Sequence, residues 1–121
     1  MNKTTIIAIF LSFLSLSSLA QPLPKREVRA VWLTTIGGLD WPHNYAQSYR
    51  SREKQQEELR TLLDKYQKAG INTILLQTRI RATTIYPSAY EPWDGCLSGK
   101  PGVSPGYDAL AFAIEECHNR G

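Results

Sequence analysis

The sequence predicts an α/β fold built on a parallel sheet. Two observations predict it. Short β-favouring apolar segments alternate with longer segments whose apolar residues recur at helical spacing, and the middle of the second apolar segment is continuous, as in a strand covered on both faces. The 121-residue chain is 42% hydrophobic and 21% charged, with a formal charge of +3. That balance suits a globular domain and excludes collagen, coiled coil and multi-span membrane classes. The charge excess is too small to indicate a nucleic-acid partner, and none is expected.

The chain opens as a secretory leader. Lys3 supplies the positive start, Ile6 to Leu16 is apolar apart from Ser12 and Ser15, and Ser18-Leu19-Ala20 places small residues before a cleavage point. The run is shorter than the ~20 residues that span a bilayer, so a membrane role only through the secretion machinery is expected. Gln21 rather than Cys follows, which argues against a lipoprotein. The expected organisation is a signal peptide over 1–20, a linker over 21–26 and one domain portion over 27–121, in a periplasmic or secreted protein.

Glu27 to Thr34 reads as the first strand. Thr35 to Arg50 is a loop punctuated by Gly37, Gly38 and Pro42. A helix then runs from a Ser51 N-cap to about Ala69, with Leu59, Leu62, Leu63 and Tyr66 on one face and charged residues on the other. Gly70 occupies the place of a C-terminal cap. Ile71 to Gln77 is the second strand. A long connection follows, from about Thr78 to Tyr107, with four prolines and four glycines; connections of this length are often functional. Asp108 can cap a last helix with Leu110, Ala113, Ile114 and Cys117 on one face.

The order is therefore β-α-β-α. Two parallel strands cannot cover their own faces, so the chain reads as the opening of a larger domain. A (β/α)8 barrel of ~250 residues fits, with about two of its eight units present. The expected fold is the N-terminal β-α-β-α portion of such a TIM-type barrel, truncated.

In a barrel, the loops after the strands build the active site. The first loop carries Asp40, Trp41 and His43; the second carries Arg79, Arg81, Tyr86, Tyr90, Glu91, Trp93 and Asp94. Aromatic rings beside carboxylates and guanidinium groups suit a carbohydrate, whose CH faces stack on rings and whose hydroxyls need polar partners. Trp32, inside the first strand, is expected in the core, while Trp41 and Trp93 are the stacking candidates. No His-Glu-x-x-His, Cys-x-x-Cys or calcium-loop pattern is present, so no metal or cofactor is expected. His118 falls in the last helical turn, where an imidazolium suits the dipole. Asp108 to Cys117 spans ~13 Å of helix. A disulfide needs Cα atoms within ~7 Å, so no Cys96–Cys117 bridge is expected.

Several separated segments resemble one known family. Glu27-Val28-Arg29-Ala30-Val31-Trp32-Leu33-Thr34-Thr35 with Leu39-Asp40-Trp41-Pro42 forms the first. The second comprises Gln77-Thr78-Arg79, Tyr86-Pro87-Ser88, Glu91-Pro92-Trp93 and Leu97-Ser98-Gly99. The third runs from Pro105-Gly106-Tyr107-Asp108 to Asn119-Arg120-Gly121. Together they resemble the start of the glycosyl-hydrolase-like family 10 domain, which is distinct from the family 10 xylanases. The resemblance implies an exported bacterial (β/α)8 protein acting on glycans, with peptidoglycan glycan strands or another complex glycan as substrate. Many members have Pro and a Gly-Asp-Ala-like stretch after the Gln-x-Arg; this chain has Ile80 and Ala82-Thr83-Thr84, so no acid is carried to Thr83.

Glycoside hydrolysis uses two carboxyl groups, one protonated to serve as acid. Asp40, just past the first strand, is the in-chain catalytic candidate; its other role is to cap the loop by bonding local backbone. The main acid/base pair is expected beyond residue 121. Gln77 and Arg79 are expected to contact substrate, with Trp41, Trp93 and Tyr86 around them. Arg79 can hold a carboxylate such as that of muramic acid at two points, or it can pair with an Asp or Glu of the protein and orient it. Arg81 reads as a solvated loop residue. The alternatives to an enzyme are a non-catalytic glycan-binding barrel and an inactive truncated product. The piece on its own is expected to be inactive and prone to aggregate through its strand edges.

Overall fold

The computed structural model describes residues 27–121; the leader expected over 1–20 and the linker over 21–26 lie outside the described residues. The elements are β1 (Ala30–Leu33), a 3-10 turn (Ile36–Gly38), α1 (Tyr49–Lys68), β2 (Thr73–Leu76), β3 (Arg79–Ile80), β4 (Thr83–Thr84), α2 (Gly95–Ser98) and α3 (Ala109–His118).

β1 and β2 pair in parallel, Val31 opposite Ile74 and Leu33 opposite Leu76. Both strands are shorter than the sequence suggests, because side chains take over the pairing at their ends. The Asn72 carboxamide accepts from the Arg29 amide at 2.9 Å below β1, and the Asp40 carboxylate accepts from the Thr34 amide at 2.8 Å above it.

Alternation splits the pair into two faces. Leu33, Ile74 and Leu76 join the core with Leu59 and Leu63 of α1 and with Ala109 and Ala113 of α3. Trp32 and Leu75 stand opposite each other on the other face. They are 64% and 46% exposed. Among the described residues helices pack on one side only of this pair, so Trp32 lies outside their core and β2 is covered on one face rather than the two expected.

α1 is capped three residues before the expected cap. Ser48 is the N-cap; its hydroxyl accepts from the Ser51 amide at 3.1 Å while the Ser51 hydroxyl accepts from the Ser48 amide at 2.8 Å. Ser51 is the inner half of a reciprocal capping box rather than the cap. Leu59 and Leu63 are buried on the inner stripe. Burial of each stabilises by about 1.5–3 kcal/mol. The helix closes as expected at Gly70, whose φ of +82° lets the Ile71 amide reach Tyr66 O at 3.0 Å and the Gly70 amide reach Gln67 O at 2.9 Å. Asp108 caps α3 as expected, accepting from the Ala111 amide at 2.9 Å. On the far side Arg60 and Arg120 both clasp Glu116 of α3, at 2.8 and 2.7 Å, and Arg120 also reaches Asp64 of α1 at 2.6 Å.

The long connection is not structureless. β3 and β4 form an antiparallel hairpin, and α2 forms a single turn capped by Asp94. The connection is tied to α1 through Gln55, which is fully buried. Its amide nitrogen donates to the carbonyls of Asn44 and Leu97, and its oxygen accepts from the Tyr107 hydroxyl at 2.6 Å. Burial pushes the Tyr107 phenol well above its ordinary range, so the hydroxyl remains a donor. Cys96 and Cys117 are free thiols.

Candidate functional site

The loops that leave the C-terminal ends of β1 and β2 are fastened to each other by Gln77. Its side-chain oxygen accepts from the backbone amides of Thr35, at 3.1 Å, and Ile36, at 3.0 Å, and its carbonyl accepts from the Thr35 hydroxyl at 2.9 Å. Two backbone donors on one atom fix the amide orientation and leave the Gln77 nitrogen facing away from them. Gln77 is thus a loop clamp with its side-chain nitrogen to spare.

Arg79 lies on β3 and meets Glu91 at two points. Nε donates to Oε2 at 2.6 Å, and Nη2 bonds Oε1. The bonds from Arg79 hold the Glu91 carboxyl below the usual carboxylate range, and Glu91 in turn raises the guanidinium. Of the two roles open to Arg79, the protein supplies a carboxylate partner for the second. Tyr86, half-buried, lies close enough to Arg79 for its phenol to act on the guanidinium.

Asp40 takes the loop-capping role, its carboxylate held by the Thr34 amide. It faces α1 rather than Gln77, in a recess shared with His43, Glu58 and Lys65. Trp41, expected as a stacking ring, is fully buried, and its indole nitrogen donates to Gln55 O at 3.0 Å. The correction has a simple cause: the Trp-Pro segment folds back over α1, and the largest apolar side chain in the loop fills the gap there. Trp93 is half-buried, packed on the core beside Thr84, to whose strand it bridges.

Asp94 and Thr83 form a constellation with no warning in the sequence. The Asp94 carboxylate is buried and accepts from the Thr83 hydroxyl and from the Cys96 amide, the latter at 2.8 Å. Burial acts to raise its pKa, but these bonds outweigh it and hold the carboxyl below its ordinary range. Burial, then the neighbouring carboxylate, push the Cys96 thiol up, so it stays protonated. Beside this group a cleft of about 450 Å3 opens between the β1 loop and the hairpin, with Tyr45 and Arg81 at its rim. Spacing gave no sign of the hairpin, because its turn residues, Arg81 and Ala82, include no glycine. Among the described residues no three His, Cys, Asp or Glu side chains converge as a metal site.

The family model described as Glycosyl hydrolase-like 10 matches residues 27–121. Glycosyl hydrolase YngK of Bacillus subtilis (strain 168) is 42% identical over 107 residues, covering 88% of this chain and 20% of the relative. Glycosyl hydrolase DigH of Escherichia coli (strain K12) is 38% identical over 101 residues, covering 80% of this chain and 23% of the relative. The chain spans about a fifth of the length of these curated relatives.

Proposed function

Because the chain belongs to the glycosyl hydrolase-like 10 family, we propose that the whole protein carrying it is an exported (β/α)8 enzyme that cleaves glycosidic bonds in a bacterial cell-wall glycan. The family match over residues 27–121 carries the reading. The parallel β1–β2 pair supports it, since Trp32 and Leu75 present an apolar face of the kind that lines a barrel interior. The basic start and apolar run of residues 1–20 support export.

Within that enzyme this segment serves substrate binding. A general acid needs a raised pKa. Glu91 and Asp94 are both held as anions by their partners, and Asp40 is committed to the Thr34 amide. These states disfavour Glu91 and Asp94 as the general acid, and the acid/base pair is proposed for strands outside this segment. Gln77, through its free amide nitrogen, and Arg79, through the edge of the guanidinium not turned to Glu91, bond sugar hydroxyls, with Tyr86 and Trp93 as the flanking rings.

The same engagement of carboxylates favours one second reading, a barrel that binds glycan without cutting it. Incubating the whole protein with peptide-free peptidoglycan strands and with chitin oligosaccharides, and separating the products by chromatography and mass spectrometry, tests both. Shortened strands support the hydrolase. Binding with no shortened product replaces it with the binder, and neither binding nor cleavage overturns both.

A further inference from the structure

We propose that the cleft between the β1 loop and the β3–β4 hairpin is a subsite for a sugar unit bearing a carboxylate, with Arg81 as the anion contact and Tyr45 as the platform. The inference rests on the glycoside hydrolase reading and adds a ligand class and two residues to it. Its volume, about 450 Å3, falls in the range of roughly 300–1,000 Å3 typical of small-molecule sites.

Arg81 differs from the other arginines near the strand ends. Arg79 is paired with Glu91 at two points, whereas the Arg81 side chain has no hydrogen bond or ion pair among the described residues. The carboxylate lining the cleft, Asp94, is occupied by Thr83 and the Cys96 amide. Arg81 acts on Asp94 by charge but makes no hydrogen bond or ion pair to it, so the cleft holds a cation whose donors are open beside a carboxylate already bonded. Arg81 is also held in an unusual place. It and Ala82 occupy both central positions of a two-residue hairpin turn at φ +51° and +58°. That turn ordinarily takes Asn-Gly, and non-glycine residues in left-handed backbone gather at functional sites. The strain aims a charged side chain at the cleft where a glycine turn would leave nothing.

Tyr45 supplies the second half. Its ring lies on Gly99, with ring carbons 3.0 Å from where a Cβ would stand, and the residue is still 56% exposed. Its segment is pinned to α2 by the Ala46 backbone amide on Leu97 O at 2.7 Å and by the Gln47 side-chain Nε2 on Ser98 O at 3.1 Å. A supported ring with an open side, next to a free guanidinium, fits a pyranose that carries a carboxylate: the CH face stacks while the anion takes the charge-assisted bonds.

The test uses the whole protein and its Arg81→Gln and Arg81→Lys variants, each checked for an unchanged melt. The probes are a peptide-free strand whose alternate sugars carry a lactyl carboxylate, and the same strand with those carboxyls reduced to alcohols. Arg81→Gln is expected to lower affinity for the acidic strand by about tenfold or more and for the reduced strand by less than about twofold, with Arg81→Lys between. Equal losses on both probes, or no loss on either, overturn the inference alone. Failure of the unsubstituted protein to bind either probe overturns the glycan reading and the inference with it.

Discussion

Arg79 and Glu91 meet in a two-point ion pair that bridges twelve positions of the long connection, with Nε 2.6 Å from Oε2. The pair leaves two roles for Arg79 that affinity can tell apart. If the guanidinium itself touches glycan, Arg79→Ala costs about tenfold in affinity, while Glu91→Gln, which frees the guanidinium but leaves it in place, costs only a fewfold. If Arg79 serves to orient Glu91, the two losses are equal. The first outcome is expected, read by titrating peptide-free strands into each variant of the whole protein.

Gln77 separates folding from binding in one side chain. Its oxygen satisfies the Thr35 and Ile36 amides. Replacement by Leu orphans both donors and should cost about 2 kcal/mol or more. Gln77→Glu keeps an acceptor in the same place, so its melting temperature should stay near that of the parent. It loses both side-chain N–H donors, however, so its glycan affinity should fall. A Gln77→Glu protein that binds as well as the parent would remove Gln77 from the site.

The hairpin turn makes a stability prediction of opposite sign. Ala82 sits at φ +58°, where a Cβ is disfavoured. Ala82→Gly should raise the stability of the whole protein by about 0.5–1 kcal/mol, relief of strain exceeding the added freedom of the unfolded chain. A chemical-denaturation midpoint that falls instead would mean that the turn is not left-handed in solution.

The features that local pattern controls were legible. Helical spacing marked Leu59 and Leu63, Asp108 announced the start of α3, and Gly70 the end of α1. Ser48 and Ser51 show where local pattern runs out: each bonds the other's amide, so only the geometry tells cap from partner. Trp41 shows the same for burial. Its place depends on a loop folding across α1 to reach Gln55 O, a contact fourteen positions away with no periodic trace. The Arg79–Glu91 pair and the Asp94–Thr83 contact are likewise set by the hairpin, whose turn carries no glycine to announce it. The chemistry-bearing loops were found in sequence; which residue in them is committed to structure was not.

Glu116 gives the fold a defined acid limit. Hydrogen bonds from Arg120, then from Arg60, hold its carboxyl below the ordinary range, and they tie α3 to α1. In the unfolded chain the same group titrates near ~4.3. The folded protein therefore binds this proton less readily than the unfolded chain. The stabilisation is complete above the unfolded value and is lost as pH falls through the folded one. Because the network is partly open to solvent, its worth is about 1 kcal/mol. Glu116→Gln should thus lower stability by about that amount at neutral pH, and the gap from the parent should close as the pH drops below the unfolded value. Urea midpoints of the two proteins across that range test it. A gap that stays constant into acid would mean that Glu116 contributes by positioning Arg60, which lies 5.1 Å over the Phe112 ring, rather than through its charge.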